Sequence, residues 1–226
     1  MGLGAIIFDF NGVLVDDEPL HFVLFQRVLA EEGVPLTREE YYARYLPFPD
    51  RDLFQAVMRA KGMAFSPAQI EGMVERKGRY YADHADGVLF FPGAREFVLE
   101  AARRFPLAVA SGARREEIET ALLRAGLLDS FQAVVGAEDV ARGKPDPEAF
   151  HLALRQINGL LGSGIVPEEC LVVEDSKPGI EAAHRAGMKC LAVANSYPEE
   201  ELPEADWVEK GLDRVSLREI EKAWSS

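Results

Sequence analysis

The sequence is poor in cysteine: Cys170 and Cys190 are the two among 226 residues. Two cannot build a disulfide framework or a zinc site. Both sit beside apolar, strand-like runs, where a free cysteine behaves as a small core residue. No apolar run approaches the ~20 residues that a membrane-spanning helix needs. The stretch from Met1 to Asp9 carries neither a basic segment nor the long apolar segment of a secretion signal. Basic residues are outnumbered, 25 Lys and Arg against 38 Asp and Glu, for a formal net charge of -13. Such a surface repels nucleic acid and anionic membranes. The reading is a cytoplasmic protein, a monomer or small homo-oligomer, with neither nucleic acid nor membrane as partner. The same field repels a phosphorylated metabolite at long range, so that kind of ligand needs a local cluster of Lys or Arg.

What is present points to an α/β fold. Hydrophobic residues make up 48% of the chain and charged residues 28%, an ordinary balance for a globular protein with a real core. Five short apolar runs stand out: Ala5–Phe8, Leu107–Ala110, Ala133–Val135, Leu171–Val173 and Cys190–Val193. They are continuous rather than alternating, as strands covered on both faces are. Helical patterns lie between most of them. One spans Glu116–Arg124 and stops at Gly126, one has Asp146 as its N-cap with Pro147 in the first helical position, and one runs Pro178–Ala186 to Gly187. Alternation of this kind predicts a Rossmann-like parallel sheet with helices on both faces.

Asp17 to Asp86 reads differently. A helix over Pro19–Glu32 stops at Gly33, and Thr37-Arg38-Glu39-Glu40 and Ser66-Pro67-Ala68-Gln69 read as capping boxes. The expectation is a helical domain over 17–87 inserted into a core formed by 1–16 and 88–226, with the chain returning to the sheet near Gly87–Pro92.

Asp9 sits at the carboxyl end of the first run, the edge of an open α/β sheet where ligands bind, and Gly12 permits a close turn there. An isolated Asp at a strand end is usually a turn or cap residue. Here Ser111 follows the second run, Lys144 lies in a loop on the same edge, and Glu174 and Asp175 close the fourth run. A carboxylate nucleophile, a hydroxyl, a cation and a carboxylate pair are what magnesium-assisted phosphoryl transfer requires.

These four segments resemble, in order, the four motifs of the haloacid dehalogenase superfamily. The likeness is greatest to its β-phosphoglucomutase and phosphoglycolate phosphatase branch. The inserted helices resemble a C1-type cap, and Asp16-Asp17-Glu18-Pro19-Leu20-His21 is similar to the way that branch opens its cap. The resemblance implies a magnesium-dependent phosphatase of small phosphorylated metabolites, with a phosphosugar mutase as the alternative. Asp9 would attack phosphorus and carry an aspartyl-phosphate. Mg2+ would be held by Asp9, the Asn11 main-chain carbonyl and Asp175, with Glu174 acting through water. Ser111 and Lys144 would hold the phosphoryl oxygens. The cap would contribute His21, Arg51 and Lys77 to substrate binding, with Gly112 and Arg114 adding contacts after the second motif. Carbon–halogen hydrolysis on the same fold is disfavoured by Lys144 and the Glu174-Asp175 pair.

The chain departs from the pattern at Asn11, where phosphatases and mutases of the family usually carry an Asp that serves as acid and base. Proton transfer of this kind is typically worth ~10²–10⁴-fold. Three expectations follow: a phosphatase that borrows another acid, with His21 the candidate; one restricted to good leaving groups; or a phosphate-ester binder with impaired turnover. Deamidation at Asn11-Gly12 is a fourth.

Overall fold

A computed structural model of the protein describes residues 2–46, 48–84 and 89–224. It divides into two compact units, Met1–Asp16 with Leu89–Ser226, and Asp17–Val88. Of the expected return to the sheet near Gly87–Pro92, residues 87 and 88 lie outside the described residues, and Leu89–Phe90 form a strand.

The first unit is a parallel α/β layer structure. Its strands are β1 (Ala5–Phe8), β4 (Leu107–Ala110), β5 (Ala133–Val135), β6 (Cys170–Glu174), β7 (Lys189–Val193) and β8 (Trp207–Glu209), in the spatial order β5-β4-β1-β6-β7-β8. All adjacent pairs are parallel. β1 lies between β4 and β6, so the chain order runs outward from it in both directions, and a crevice opens at its carboxyl end.

Burial on both faces explains the apolar runs. Ala5 and Ile7 belong to a core cluster with α7 (Glu148–Leu161) and α8 (Lys177–Arg185). On the opposite face Phe8 meets Phe97 of α5 (Ala94–Ala102) edge-on at 6.0 Å, and Phe131 at 5.9 Å. Both cysteines are free and buried, and burial pushes both thiols up in pKa. α6 spans Arg115–Arg124, close to its expected limits. The start of α7 differs by one residue: Pro147 occupies the cap position, while the Asp146 carboxylate accepts the Glu148 N–H at 3.1 Å, so the capping interaction is present at a shifted boundary. A short antiparallel pair, β2 (Val15–Asp16) with β3 (Leu89–Phe90), and the helix α9 (Leu217–Trp224) complete the unit.

The second unit is helical: α1 (Glu18–Glu31), α2 (Arg38–Arg44), α3 (Asp50–Ala60) and α4 (Pro67–His84). Both capping boxes form. Thr37 Oγ1 accepts the Glu40 N–H at 3.1 Å while Glu40 accepts the Thr37 N–H at 3.3 Å. Ser66 and Gln69 make the same exchange at 2.9 and 3.3 Å. The core of this unit joins Phe25, Val28 and Leu29 of α1 to Leu53, Phe54 and Val57 of α3 and Ile70 and Met73 of α4. Among the described residues no helix is long and apolar enough to cross a membrane.

Candidate active site

The strand ends of the sheet unit bring Asp9, Ser111, Lys144, Glu174 and Asp175 together. Asp9 directly follows β1, and its N–H donates to the Val173 carbonyl of β6 at 2.9 Å, which fixes its backbone beside the end of that strand. Glu174 is the last residue of β6 and Asp175 the next. Lys144 comes from the loop between β5 and α7. That loop is braced by Glu148, whose carboxylate accepts the Ala141 and Arg142 N–H groups at 3.1 to 3.2 Å. The Lys144–Pro145 peptide is cis.

Lys144 Nζ lies 2.5 Å from Asp9 Oδ1 and 2.5 Å from Glu174 Oε1. Burial opposes the Lys144 charge, but the two carboxylates outweigh it and raise its pKa. Asp9 is pushed up to about 6, by burial above all and by Glu174, against the opposing pull of Lys144. Glu174 goes the other way. Burial works against its charge, yet Lys144, Ser176 and the Asp175 N–H hold it ionised. Its Oε2 accepts from the Asp175 and Ser176 N–H groups at 2.9 and 3.0 Å and from Ser176 Oγ at 2.8 Å. The carboxylate therefore packs over the first turn of α8, where the helix dipole favours a negative charge. A Cβ at Gly179 would run into it.

Asp175 is raised well above the ordinary carboxylate range, by burial and by the charges of Glu174 and Asp9. Asp9, Glu174 and Asp175 each offer a carboxylate oxygen within 4.8 Å of the others, and all three residues are buried. Lys144 pairs with two of these three buried carboxylates, Asp9 and Glu174. A hard divalent cation fits that donor set: the ligands are oxygen, and the excess negative charge is what burial disfavours.

Ser111 is buried at the end of β4, with its N–H on the Val135 carbonyl at 3.0 Å, and its Oγ donates to Asn11 Oδ1 at 3.3 Å. Asn11 thus lies beside the hydroxyl expected to bind phosphoryl oxygens. The Gly12 N–H donates to the Val15 carbonyl at 3.0 Å. That bond occupies the nitrogen that must attack the Asn11 side chain in deamidation, which counts against that route. Gly112 and Arg114 are exposed, with Arg114 in the cap position of α6.

A family model described as haloacid dehalogenase-like hydrolase matches residues 6–193. The chain belongs to the haloacid dehalogenase-like hydrolases. It is 35% identical to a phosphorylated carbohydrates phosphatase of Thermotoga maritima, covering 82% of each chain. It is 33% identical to the chloroplastic 5-amino-6-(5-phospho-D-ribitylamino)uracil phosphatase of Arabidopsis thaliana, covering 97% of this chain and 57% of the plant protein. The chain therefore spans a little over half of that relative. Among solved structures, a β-phosphoglucomutase from Clostridium difficile superposes with a TM-score of 0.84 at 20% identity, over 99% of this chain and 97% of that one. The resemblance read from the motifs, including its branch, and the parallel-sheet fold both hold.

In the helical unit of this hydrolase, two of the three residues expected to touch substrate form a buried polar chain. Lys77 is 1% exposed. Its Nζ lies 2.7 Å from His21 Nδ1 and 2.7 Å from Asp50 Oδ1, and sits 4.3 Å from the centre of the Phe25 ring. His21 Nε2 is 3.1 Å from Asp17 Oδ2, which also accepts from the Tyr81 hydroxyl at 2.8 Å. Burial and Lys77 oppose a second proton on His21, while Asp17 and Asp50 favour one and set the net direction upward. The geometry argues for the neutral ring, because the Lys77 ammonium needs the Nδ1 lone pair. The single ring proton then sits on Nε2, facing Asp17. With both nitrogens engaged, His21 must break one of these contacts before it can serve as an acid. Arg51 stands apart on α3 and pairs with Glu71 of α4 at 2.8 Å.

Several participants were not among the expected site residues, although Asp17 lies in the segment that opens the helical unit. Ser176 caps α8 and holds Glu174, Asp17 and Asp50 anchor the buried pair in the helical unit, and Asn195 and Ser196 follow β7. The last two share one property with the motif residues: they come directly after an apolar strand, on the same sheet edge.

Proposed function

We propose that the protein is a magnesium-dependent phosphatase of small phosphorylated metabolites, working through an aspartyl-phosphate on Asp9. The observation that carries this reading is the Lys144 bridge between Asp9 and Glu174, with Asp175 in the same buried carboxylate cluster. Phosphatases among the relatives, including one for phosphorylated carbohydrates, support a sugar or polyol phosphate as substrate.

Asp9 is the nucleophile. A carboxylate oxygen forms a bond to phosphorus as the bond from phosphorus to the ester oxygen breaks, and the alcohol leaves with a proton taken from solvent or a neighbouring group. Water then attacks the phosphorus of the aspartyl-phosphate, losing a proton, and releases inorganic phosphate with Asp9 restored. Lys144 and Ser111 stabilise charge on the phosphoryl oxygens. Glu174 holds Lys144 in place. Asp9, the Asn11 carbonyl and Asp175 would hold magnesium, with Glu174 acting through water, and the bound ion would supply charge neutralisation at the phosphoryl group. Asn11 cannot exchange protons near neutral pH, so it slows the proton-dependent steps without altering the reaction class. His21, Lys77 and Arg114 are assigned to substrate binding. Arg51, paired with Glu71, is assigned a supporting place in its own unit.

The test is phosphate release from a panel of phosphorylated sugars and polyols plus an aryl phosphate, with magnesium, against an Asp9→Asn control. Release that the control abolishes is expected. Folded protein that releases phosphate from none of them, or an Asp9→Asn variant as active as wild type, overturns the reading.

A further inference from the structure

We propose that Asn195 and Ser196 form a latch that positions the cation-binding carboxylate Asp175 against the nucleophile loop. The proposal rests on the reading of Asp9 and Asp175 as cation ligands. β7 ends at Val193, and the chain is then held on both sides. The Ala194 N–H donates to the Glu209 carbonyl of β8 at 2.8 Å, and the Asn195 N–H returns to the Val193 carbonyl at 2.9 Å. From this fixed turn two consecutive side chains reach two different segments. Asn195 Nδ2 donates to the Gly12 carbonyl at 2.7 Å, in the loop after Asp9. Ser196 Oγ donates to Asp175 Oδ2, at the end of β6.

The three partners converge at Gly12. Its φ is +78°, and a Cβ there would collide with the Asp175 carboxyl group and Ser196 Oγ. Just beyond, Lys177 at the start of α8 pairs with Glu201 at 2.7 Å and lies over the Tyr197 ring at 5.4 Å, so the loop that carries the latch is tied to the helix following Asp175.

A carboxylate buried beside Glu174 and Asp9 is repelled by both and is free to rotate about its side-chain bonds. A donor fixed on one oxygen stops that rotation and leaves the other oxygen to a cation. Ser196 and Asn195 are neutral, so they orient without competing for the site as a second lysine would. Outer partners of this sort are typically worth 10–100-fold in metal affinity. Ser196 acts here as a positioning residue.

The measurement is calorimetric titration of the full chain with magnesium alone. Ser196→Ala is expected to weaken binding by ~10–100-fold, and Ser196→Thr, which keeps the hydroxyl, to restore most of it. Asn195→Ala, which releases the Gly12 carbonyl, is expected to weaken binding in the same direction. Ser196 is exposed, so truncation leaves the core intact. Ser196→Cys, of similar size with a weak donor, is the second variant and is expected to fall between Ala and wild type. Wild-type affinity in Ser196→Ala and Ser196→Cys overturns the latch. Asp175→Ala separates the two levels. If it loses magnesium while the Ser196 variants keep it, only the latch falls. If it binds magnesium like wild type, the cation-site reading itself falls.

Discussion

The Lys144 ammonium is shared between Asp9 and Glu174, 2.5 Å from one oxygen of each. The two carboxylates have opposite fates under that one cation. Glu174 keeps its charge because three further donors, from Ser176 and the Asp175 backbone, meet its second oxygen. Asp9 shares Lys144 but stays raised to about 6, because burial and the neighbouring Glu174 charge outweigh it. Asp9, the proposed nucleophile, thus sits raised above the ordinary carboxylate range beside an anchor that is held ionised.

Replacing Lys144 by Met removes that cation and leaves the buried carboxylates facing one another. Breaking a buried ion pair from one side costs about 3–5 kcal/mol. Urea unfolding of the metal-free variant near pH 8 is expected to show a loss of that order, and a smaller one near pH 5, where Asp9 takes up a proton. Turnover is expected to fall by ~10²–10³-fold. A variant as stable as wild type near pH 8 would contradict this account of the bridge.

The raised Asp9 sets the direction of a pH effect. Its pKa in the fold is about 6 against an ordinary 3.8, so the protonated form stabilises the metal-free fold. That contribution is complete below the ordinary value and is lost as pH rises through about 6. A cation requires the ionised form, so protons and magnesium compete, at Asp175 as well. The rise in unfolding temperature produced by magnesium is expected to grow between about pH 5 and about pH 7.5, as Asp9 loses its proton. A magnesium shift that stays constant over that interval would argue for a site elsewhere.

Asn11 accepts a hydrogen bond from Ser111 at 3.3 Å, and its amide cannot act as a general acid near neutral pH. With Asn11→Asp, steady-state turnover of a sugar phosphate is expected to rise by up to ~10²-fold, if proton transfer limits the rate. An unchanged or lower rate would mean that another group already moves the proton.

Much of this arrangement is legible in the amino-acid sequence. The buried strands are short apolar runs, and covering on both faces is what makes them continuous. Gly33, Gly126 and Gly187, and the boxes at Thr37 and Ser66, mark helix limits through local chemistry. β8 was missed because Trp207-Val208-Glu209 is half-buried on the sheet edge and too short to show a pattern. α3 was missed because Leu53, Phe54, Val57 and Met58 form a narrow stripe among charged residues. Asp9, Lys144 and Glu174-Asp175 were found because their residue types match a chemistry at strand ends. Ser196 and Asn195 were not, since a hydroxyl and an amide in a turn are common, and only their partners give them meaning. The engagement of both His21 nitrogens depends on Lys77, 56 residues away in sequence, a contact that local pattern does not encode.

The most direct test of the central claim is rapid mixing of the protein with an activated aryl phosphate and magnesium. An acidic leaving group needs little proton help, while water attacking the aspartyl-phosphate must lose a proton beside Asn11 rather than an Asp. The second step is therefore the slower one. A burst of aryl alcohol followed by a slow steady rate is expected, with quenched samples carrying one added phosphoryl group on the peptide that contains Asp9. Turnover with a linear time course and no phosphorylated Asp9 peptide would contradict it.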